Sequence, residues 1–219
     1  MLKERGTLSI LTLCLALAAP AAAQEAGLLS RLRSADPAAR MAAAREAGEL
    51  RSTATVAGLV PLLKDRSQGV AVAAAVSLGQ IRDERAVEPL ILAAEKSTHT
   101  AVRVMIAQSL GNFPGEKALG ALAKLADDRS PAVRSAASRS LGKYGPEESA
   151  DKLIEKTSSD SDPEVRRVAA EALAGMAEIR DLGPRRAAAE RALEGAARDP
   201  REKNRKAAAA ALKRMKRGK

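Results

Sequence analysis

The chain has 219 residues, of which 46% are hydrophobic and 1% aromatic, and its formal net charge is +10. The C-terminal segment 198–219 carries ten basic and two acidic side chains, whereas the body of the chain, 24–197, is close to neutral. The single cysteine, Cys14, excludes an intramolecular disulfide, and the single histidine, His99, cannot form a histidine-rich metal site.

The N-terminal segment 1–23 has the three parts of a secretory signal peptide. Lys3 and Arg5 give a positive start, residues 8–19 are an apolar stretch too short to span a membrane, and small residues precede Gln24. We therefore predict cleavage after Ala23, which removes Cys14, and a periplasmic or secreted mature protein.

One block recurs along the rest of the chain: a small or β-branched residue, usually Arg, an Ala-rich stretch, and Leu-Gly or a close variant eight and nine residues on. The blocks begin at Ala39, Val70, Val102, Val133 and Val165, so that the distance from one start to the next varies by a single position. A period so nearly fixed, and of this length, predicts stacked helical repeats, each too small to fold alone.

Each block is predicted to be the second helix of a two-helix unit. Asp-Pro or Ser-Pro before a block is typical of a helix start, and the Gly nine residues in is expected to end the helix as a left-handed C-cap. The first helices are predicted at residues 25–32, 55–64, 86–96, 116–126, 148–156 and 183–197, with kinks at Pro61 and Pro89.

The repeat stretches near its end, because the block at Asn204 begins further from the one at Val165 than the regular spacing would place it. We therefore expect six helix pairs, the last one atypical. The predicted organisation is a signal peptide (1–23), an α-solenoid (24–213) and a basic tail (214–219).

A two-helix unit with the pattern Asp-Pro-x-Val-Arg-x-x-Ala-Ala-x-x-Leu-Gly resembles HEAT-like repeats. Over residues 25–213 the chain is most similar to the short, Ala-rich bacterial type also found in phycobilisome lyase subunits. The resemblance implies an all-α, right-handed α-solenoid of about six HEAT-like helix pairs. It implies little about function, since the motif residues are those that build the stack.

An arginine recurs one residue into most of the second helices. It could bind carboxylates or phosphates on the concave face, or each Arg could bond an Asp or a helix-terminal carbonyl of the adjoining unit. The family pattern favours this second, internal ladder. The arginines concerned are Arg40, Arg103, Arg134, Arg166 and Arg205.

Two other positions of each second helix, two and six residues after the block start, are expected to point outward from the core on one side of the helix and to reach the concave face of the solenoid. The resulting stripe is apolar in the middle units and charged in the others, which suits a peptide or a partner helix; packing of the valines within the stack is the alternative. The candidate binding residues are Arg45, Gln108, Arg139, Arg167 and Glu171.

The basic C-terminal segment is the strongest chemical bias of the sequence. In an exported protein it suits an anionic membrane surface or an acidic partner, and the alternative is a solubilising cap for the last repeat. Export and the neutral body disfavour nucleic acid. The candidate residues are Lys213, Arg214, Lys216 and Arg217.

No phosphate-binding loop, catalytic triad or carboxylate pair stands out, so we predict no enzymatic activity and no cofactor. The favoured hypothesis is a monomeric, protein-binding scaffold in the bacterial cell envelope. The alternatives are binding of an anionic surface or nucleic acid through the basic tail, and a bilin-lyase-like role based on fold analogy alone.

Overall fold

The computed structural model describes residues 23–179 and 181–217, and within these ranges the chain is a stack of helices without a β-strand. Short 3₁₀ segments at Thr53–Thr55, Val60–Lys64, Glu84–Ala86 and Gly183–Arg185 adjoin the α-helices. The α-helices are α1 (23–31), α2 (Pro37–Glu49), α3 (Val56–Leu59), α4 (Gln68–Ile81), α5 (Val87–Lys96), α6 (Thr100–Leu110), α7 (Glu116–Leu125), α8 (Pro131–Leu141), α9 (Pro146–Ser159), α10 (Pro163–Ile179), α11 (Arg186–Ala196) and α12 (Glu202–Arg217).

The helices form six consecutive pairs, and the prediction of an all-α solenoid is confirmed. Each even-numbered helix is the second helix of its unit and packs on the second helix of the next unit, from α2 on α4 to α10 on α12. The first helices form a parallel row on the other side, in which α5 contacts α7, α7 contacts α9, and α9 contacts α11. The predicted signal peptide, apart from Ala23, lies outside the described residues.

The core combines small residues on the second helices with large residues on the first helices. Alanines such as Ala43, Ala74 and Ala137 are fully buried between second helices and let them approach closely. Leucines such as Leu90 and Leu122 on the first helices are also fully buried and fill the wider space between the two rows.

The block glycines do not act as left-handed C-caps, and that prediction is wrong. Gly48 and Gly79 lie within α2 and α4, and Gly111 and Gly142 follow their helices with right-handed φ angles of −65° and −60°. Each of these four glycines instead lies against the next second helix: a Cβ built on Gly79 would stand 2.6 Å from the Cβ of Ser109. The glycines are thus required for close packing between units.

The prolines also behave differently from the prediction. Pro89 is the third residue of α5, in the first turn, where its missing N–H breaks no helical hydrogen bond, so no kink results. Pro61 stands where the α-helix α3 gives way to the 3₁₀ segment Val60–Lys64, so the helix changes type there.

The end of the stack extends past the predicted boundary at residue 213. Helix α12 runs to Arg217, and Met215 on it is fully buried. The longer repeat has a local cause, because α10 has 17 residues where α8 has 11, and α12 begins two residues after Pro200.

Candidate functional site

The repeated arginines form an internal ladder that links successive units. Arg40 on α2 donates from Nε and Nη2 to the two carboxylate oxygens of Asp65, at 2.7 and 2.9 Å. Its Nη1 donates to the carbonyls of Ser34 and Ala35, in the turn before α2, at 2.8 and 2.9 Å. Equivalent rungs join Arg103 to Asp128, Arg134 to Asp160 and Arg166 to Asp199.

The aspartates of the ladder are held from both sides. Asp65 also accepts the backbone N–H of Ser67 at 2.8 Å, so its carboxylate closes a turn as well as a rung. The hydrogen bond from Arg40 holds the pKa of Asp65 below its usual range, against an opposing effect of burial. For Asp160, burial raises the pKa, but the bonds from Arg134 and from a backbone N–H outweigh it, so the net shift is downward.

The ladder is interrupted once, between the second and third units. Ala71 takes the arginine position on α4, and Ser97 takes the aspartate position in the turn after α5, so both partners of one rung are replaced. A cavity of about 310 Å³ lies at this point, with Ala71 and Ser97 in its lining. At the far end, Arg205 bonds the carbonyls of Asp199 and Pro200.

The outward positions of the second helices divide into free and paired side chains. Arg45, Gln108 and Arg139 are exposed and make no hydrogen bond or ion pair with the described residues. Arg167 is different: it bonds Glu164 and Glu171 on its own helix, and its side chain is only 13% exposed. Of the five candidates, Arg45, Gln108 and Arg139 therefore have side chains free to meet a partner.

An apolar strip lies beside these residues on the first three units. It consists of Met41 on α2, Val72 and Val76 on α4, and Val104 on α6, all half-buried. Met41, Val72 and Val104 pack against the core while keeping part of their surface in solvent. The packing alternative therefore applies in part, and the strip adds a shallow apolar surface to this side.

The basic C-terminal segment is helical up to Arg217. Arg214 bonds both carboxylate oxygens of Glu178 on α10, at 2.5 and 2.6 Å, and so helps to fix α12 on the stack. Lys213, Lys216 and Arg217 are exposed and make no ion pair with the described residues. Lys216 and Arg217 follow Lys213 by three and four residues, so all three cations lie on one side of α12.

Metal-ligand clusters and membrane-spanning helices were the remaining features to locate within the described ranges. His99 is the exposed N-cap residue of α6 and makes no side-chain capping bond. No group of three or more His, Cys, Asp or Glu residues in the described part of the chain is placed to hold a metal ion. None of the described helices is long and apolar enough to cross a membrane.

Inspection of the repeats did not identify the aspartates of the ladder or the glycine–serine contacts. The aspartates leave a signal, because Asp65, Asp128 and Asp160 stand 25, 25 and 26 residues after their arginines. The contacts leave a second one, since Ser77, Ser109 and Ser140 occupy the same block position and each would meet a Cβ added to the preceding unit's glycine.

Comparison with known proteins agrees with this geometry. A family model described as HEAT repeats matches residues 25–99 and 87–174. No curated protein sequence matches the chain.

Solved structures share the fold at low identity. YIBA of Escherichia coli has a TM-score of 0.62 and 18% identity, over 87% of this chain and 72% of that chain. The archaeal HEAT-like repeats protein of Thermococcus onnurineus NA1 has a TM-score of 0.57 and 14% identity, over 87% and 86%. A designed armadillo repeat protein has a TM-score of 0.52 and 24% identity, over 86% and 98%.

Proposed function

Because this chain belongs to the HEAT-repeat family, we propose that it is a non-enzymatic scaffold that holds another protein against the outward side of its second helices. The proposal is based on the contacts of the block residues, which lie within the stack. The arginines bond aspartates and turn carbonyls, and the glycines meet the next helix, so these motif residues are used internally.

What is left to a partner is the surface that varies from unit to unit. Its apolar part, Met41, Val76 and Val104, adjoins the free side chains of Arg45 and Gln108. An apolar strip with polar and basic edges is the arrangement that accepts an amphipathic helix, whose anchors would lie on the valines. Behind this surface, the same second helices have fully buried alanines in the core, namely Ala43, Ala74 and Ala107.

We place this activity in the cell envelope, on the basis of the N-terminal signal sequence. Lys3, Arg5 and the apolar stretch at residues 8–19 support export. Fractionation of cells that express the full chain tests this part. The expected result is a mature protein that begins at Gln24 and is released with the periplasm or medium; an unprocessed protein in the cytoplasm would contradict it.

Site-specific photo-crosslinking in intact cells tests the binding surface. A photoreactive residue at Gln108 should yield one reproducible protein adduct, because this side chain is exposed beside the apolar strip. The same residue at Lys117, exposed on the first helix α7, is the matched control and should not yield that adduct. Equal crosslinking from both positions, or none from Gln108, would contradict the proposal.

A second candidate function, binding to an anionic surface, is favoured by Lys213, Lys216 and Arg217 of α12, which are exposed and make no ion pair with the described residues. Removing everything after Ala197 would be a poor test, because it deletes Met215 from the core and Asp199 from a rung. Charge reversal of Lys213, Lys216 and Arg217 instead leaves Met215 and Asp199 in the chain, and circular dichroism checks that the variant remains helical. Vesicles that contain phosphatidylglycerol should then bind the wild type alone; equal binding by both would exclude this candidate.

A further inference from the structure

A cavity lies where the ladder is interrupted, at the turns between the second and third units. At the intact rungs an arginine, with its side chain 4–21% exposed, takes the position of Ala71. Cavities also lie beside the intact rungs of Arg103 and Arg166. At the interruption the side chain ends at Cβ, and the cavity of about 310 Å³ is lined by residues of α4, α5, α6 and the turns. Ser97 supplies a hydroxyl where other rungs carry a carboxylate.

A second cavity continues this one towards the fourth unit. It measures about 470 Å³ and shares Lys96, Ser97 and Thr98 with the first. Its lining includes the apolar side chains of Ile91 and Leu125. The two cavities thus run side by side along the turn edge of the stack, away from the outward side of the second helices.

The charges around the two cavities are unbalanced. Six basic and three acidic side chains line them. Each acid already has a partner: Asp65 bonds Arg40, Asp128 bonds Arg103, and Glu95 lies 3.7 Å from Lys124. The lining cations that make no ion pair with the described residues are Lys64, Arg66, Lys96 and Arg129.

The cations and the apolar lining of the two cavities together indicate which kind of ligand they would bind. Four cations without partners favour carboxylates, and concave walls around them strengthen the attraction relative to an open surface. The apolar lining of the second cavity favours aliphatic side chains next to those carboxylates. A guanidinium from outside fits less well, because the missing rung has lost its carboxylate and the rim is positive.

We propose that the two cavities beside the interrupted rung form a docking site for an acidic peptide segment of a protein partner, with alternating carboxylate and aliphatic side chains. The site rests on the proposed scaffold role and adds a second contact on a different edge of the same stack. A partner that used both surfaces would gain avidity from a single chain.

The probe is a fluorescent peptide of alternating Glu and Leu residues, with a Gln-for-Glu peptide as its control. Binding is measured by anisotropy with the chain beginning at Gln24, at low and at physiological salt. The first peptide should bind and weaken as salt rises, since screening acts over about 8 Å at physiological ionic strength. Equal binding of both peptides would overturn the proposal.

The decisive variant is the double substitution Ala71→Arg with Ser97→Asp, which restores the rung and places a paired guanidinium in the lining of the first cavity without changing the net charge. It should weaken binding of the acidic peptide by about tenfold or more, as should Lys96→Glu, while the matched charge reversal Lys117→Glu, at an exposed position of α7 outside both cavities, should not. Unchanged affinity in the double variant would show that the cations act as a diffuse surface charge, and would overturn the proposal.

Competition separates the sources of anionic groups. Inorganic phosphate and vesicles of phosphatidylglycerol are titrated against the bound peptide at equal ionic strength. Displacement by neither, or at salt-like concentrations only, agrees with a peptide site; tight displacement by either would overturn it. Because the peptide is scored apart from crosslinking at Gln108, failure of one assay leaves the other proposal standing.

Discussion

Restoring the missing rung should stabilise the protein, and this follows from the other rungs of the same molecule. Ala71→Arg places a guanidinium where the arginines of other units lie, and Ser97→Asp supplies its carboxylate. The rung formed by Arg103 and Asp128, one unit on, shows the expected geometry, with nitrogen–oxygen distances of 2.8 and 3.0 Å.

The expected gain in unfolding free energy is the difference between the new hydrogen bonds and the side-chain entropy that is lost when the arginine is fixed. Hydrogen bonds to charged groups contribute about 1.5–3 kcal/mol each, and holding an arginine in one rotamer costs about 2 kcal/mol. Part of the gain is offset by desolvation of both charges. Stabilising replacements of this kind commonly give a net gain of about 0.5–2 kcal/mol. For a chain of this size, that raises the melting temperature by about 2–4 °C for each kcal/mol.

The assay is a double-mutant cycle measured by urea unfolding and thermal melts. Ala71→Arg alone should be neutral or destabilising, because Lys64, Arg66 and Lys96 already make the rim positive and the carboxylate of Asp65 in the lining is already bonded by Arg40. The two substitutions together should show a coupling energy of about 1 kcal/mol or more. Additivity within about 0.5 kcal/mol, or a double variant less stable than both single variants, would refute the reasoning.

Three further predictions concern packing and acid stability. Gly79→Ala should lower the free energy of unfolding by about 1–3 kcal/mol, because the new Cβ overpacks against Ser109. Gly175→Ala should stabilise its helix, because nothing lies within 4 Å of the new Cβ. Urea unfolding of both variants in parallel checks this, and equal effects would contradict the proposed role of the block glycines. Ser138→Ala should raise the free energy of unfolding by about 1 kcal/mol, because the buried Ser138 hydroxyl has no hydrogen-bond partner among the described residues. A lower melting temperature would contradict this. Because the pKa of Asp65 is lowered in the folded protein, its contribution to stability is present above about pH 4 and is lost as the pH falls towards the folded-state pKa. Asp65→Asn should therefore be less stable than wild type at pH 7, with a smaller difference at pH 3. The same difference in unfolding free energy at both pH values would contradict this reasoning.

The fold was predictable because the repeat period and the helix boundaries are local properties of the sequence. Asp36 followed by Pro starts α2 and accepts the N–H groups of Ala38 and Ala39, as the capping pattern predicts. The number of helix pairs was also predictable, because it follows from the spacing of the blocks. Even the atypical last unit was visible as a stretch in the spacing.

The errors concern contacts between residues that are far apart in the chain and meet only through stacking. A glycine near a helix end suits both a left-handed cap and close approach of a neighbour, and only the position of Ser109 on the next unit decides for Gly79. The left-handed conformation is found instead at Arg51 and Arg82, which no glycine pattern would indicate. The free cations at the turn edge were missed for a similar reason, since Lys64 and Lys96 come together only when the units stack.

The central claim is that the block residues build the stack and the variable outward residues bind. A parallel comparison of Arg134→Ala and Arg139→Glu, both on α8, tests it most directly. Removing Arg134 leaves the buried carboxylate of Asp160 without its guanidinium, which should cost about 3 kcal/mol and lower the melting temperature by several degrees.

Arg139→Glu should leave the melting temperature within about 2 °C, since surface changes stay within about 0.5 kcal/mol, yet abolish the protein adduct formed from Gln108. Melting curves and crosslinking yields of both variants give the answer together. The account predicts loss of stability in the first variant and loss of the adduct in the second. An Arg134→Ala protein that melts like wild type but loses the adduct would contradict it.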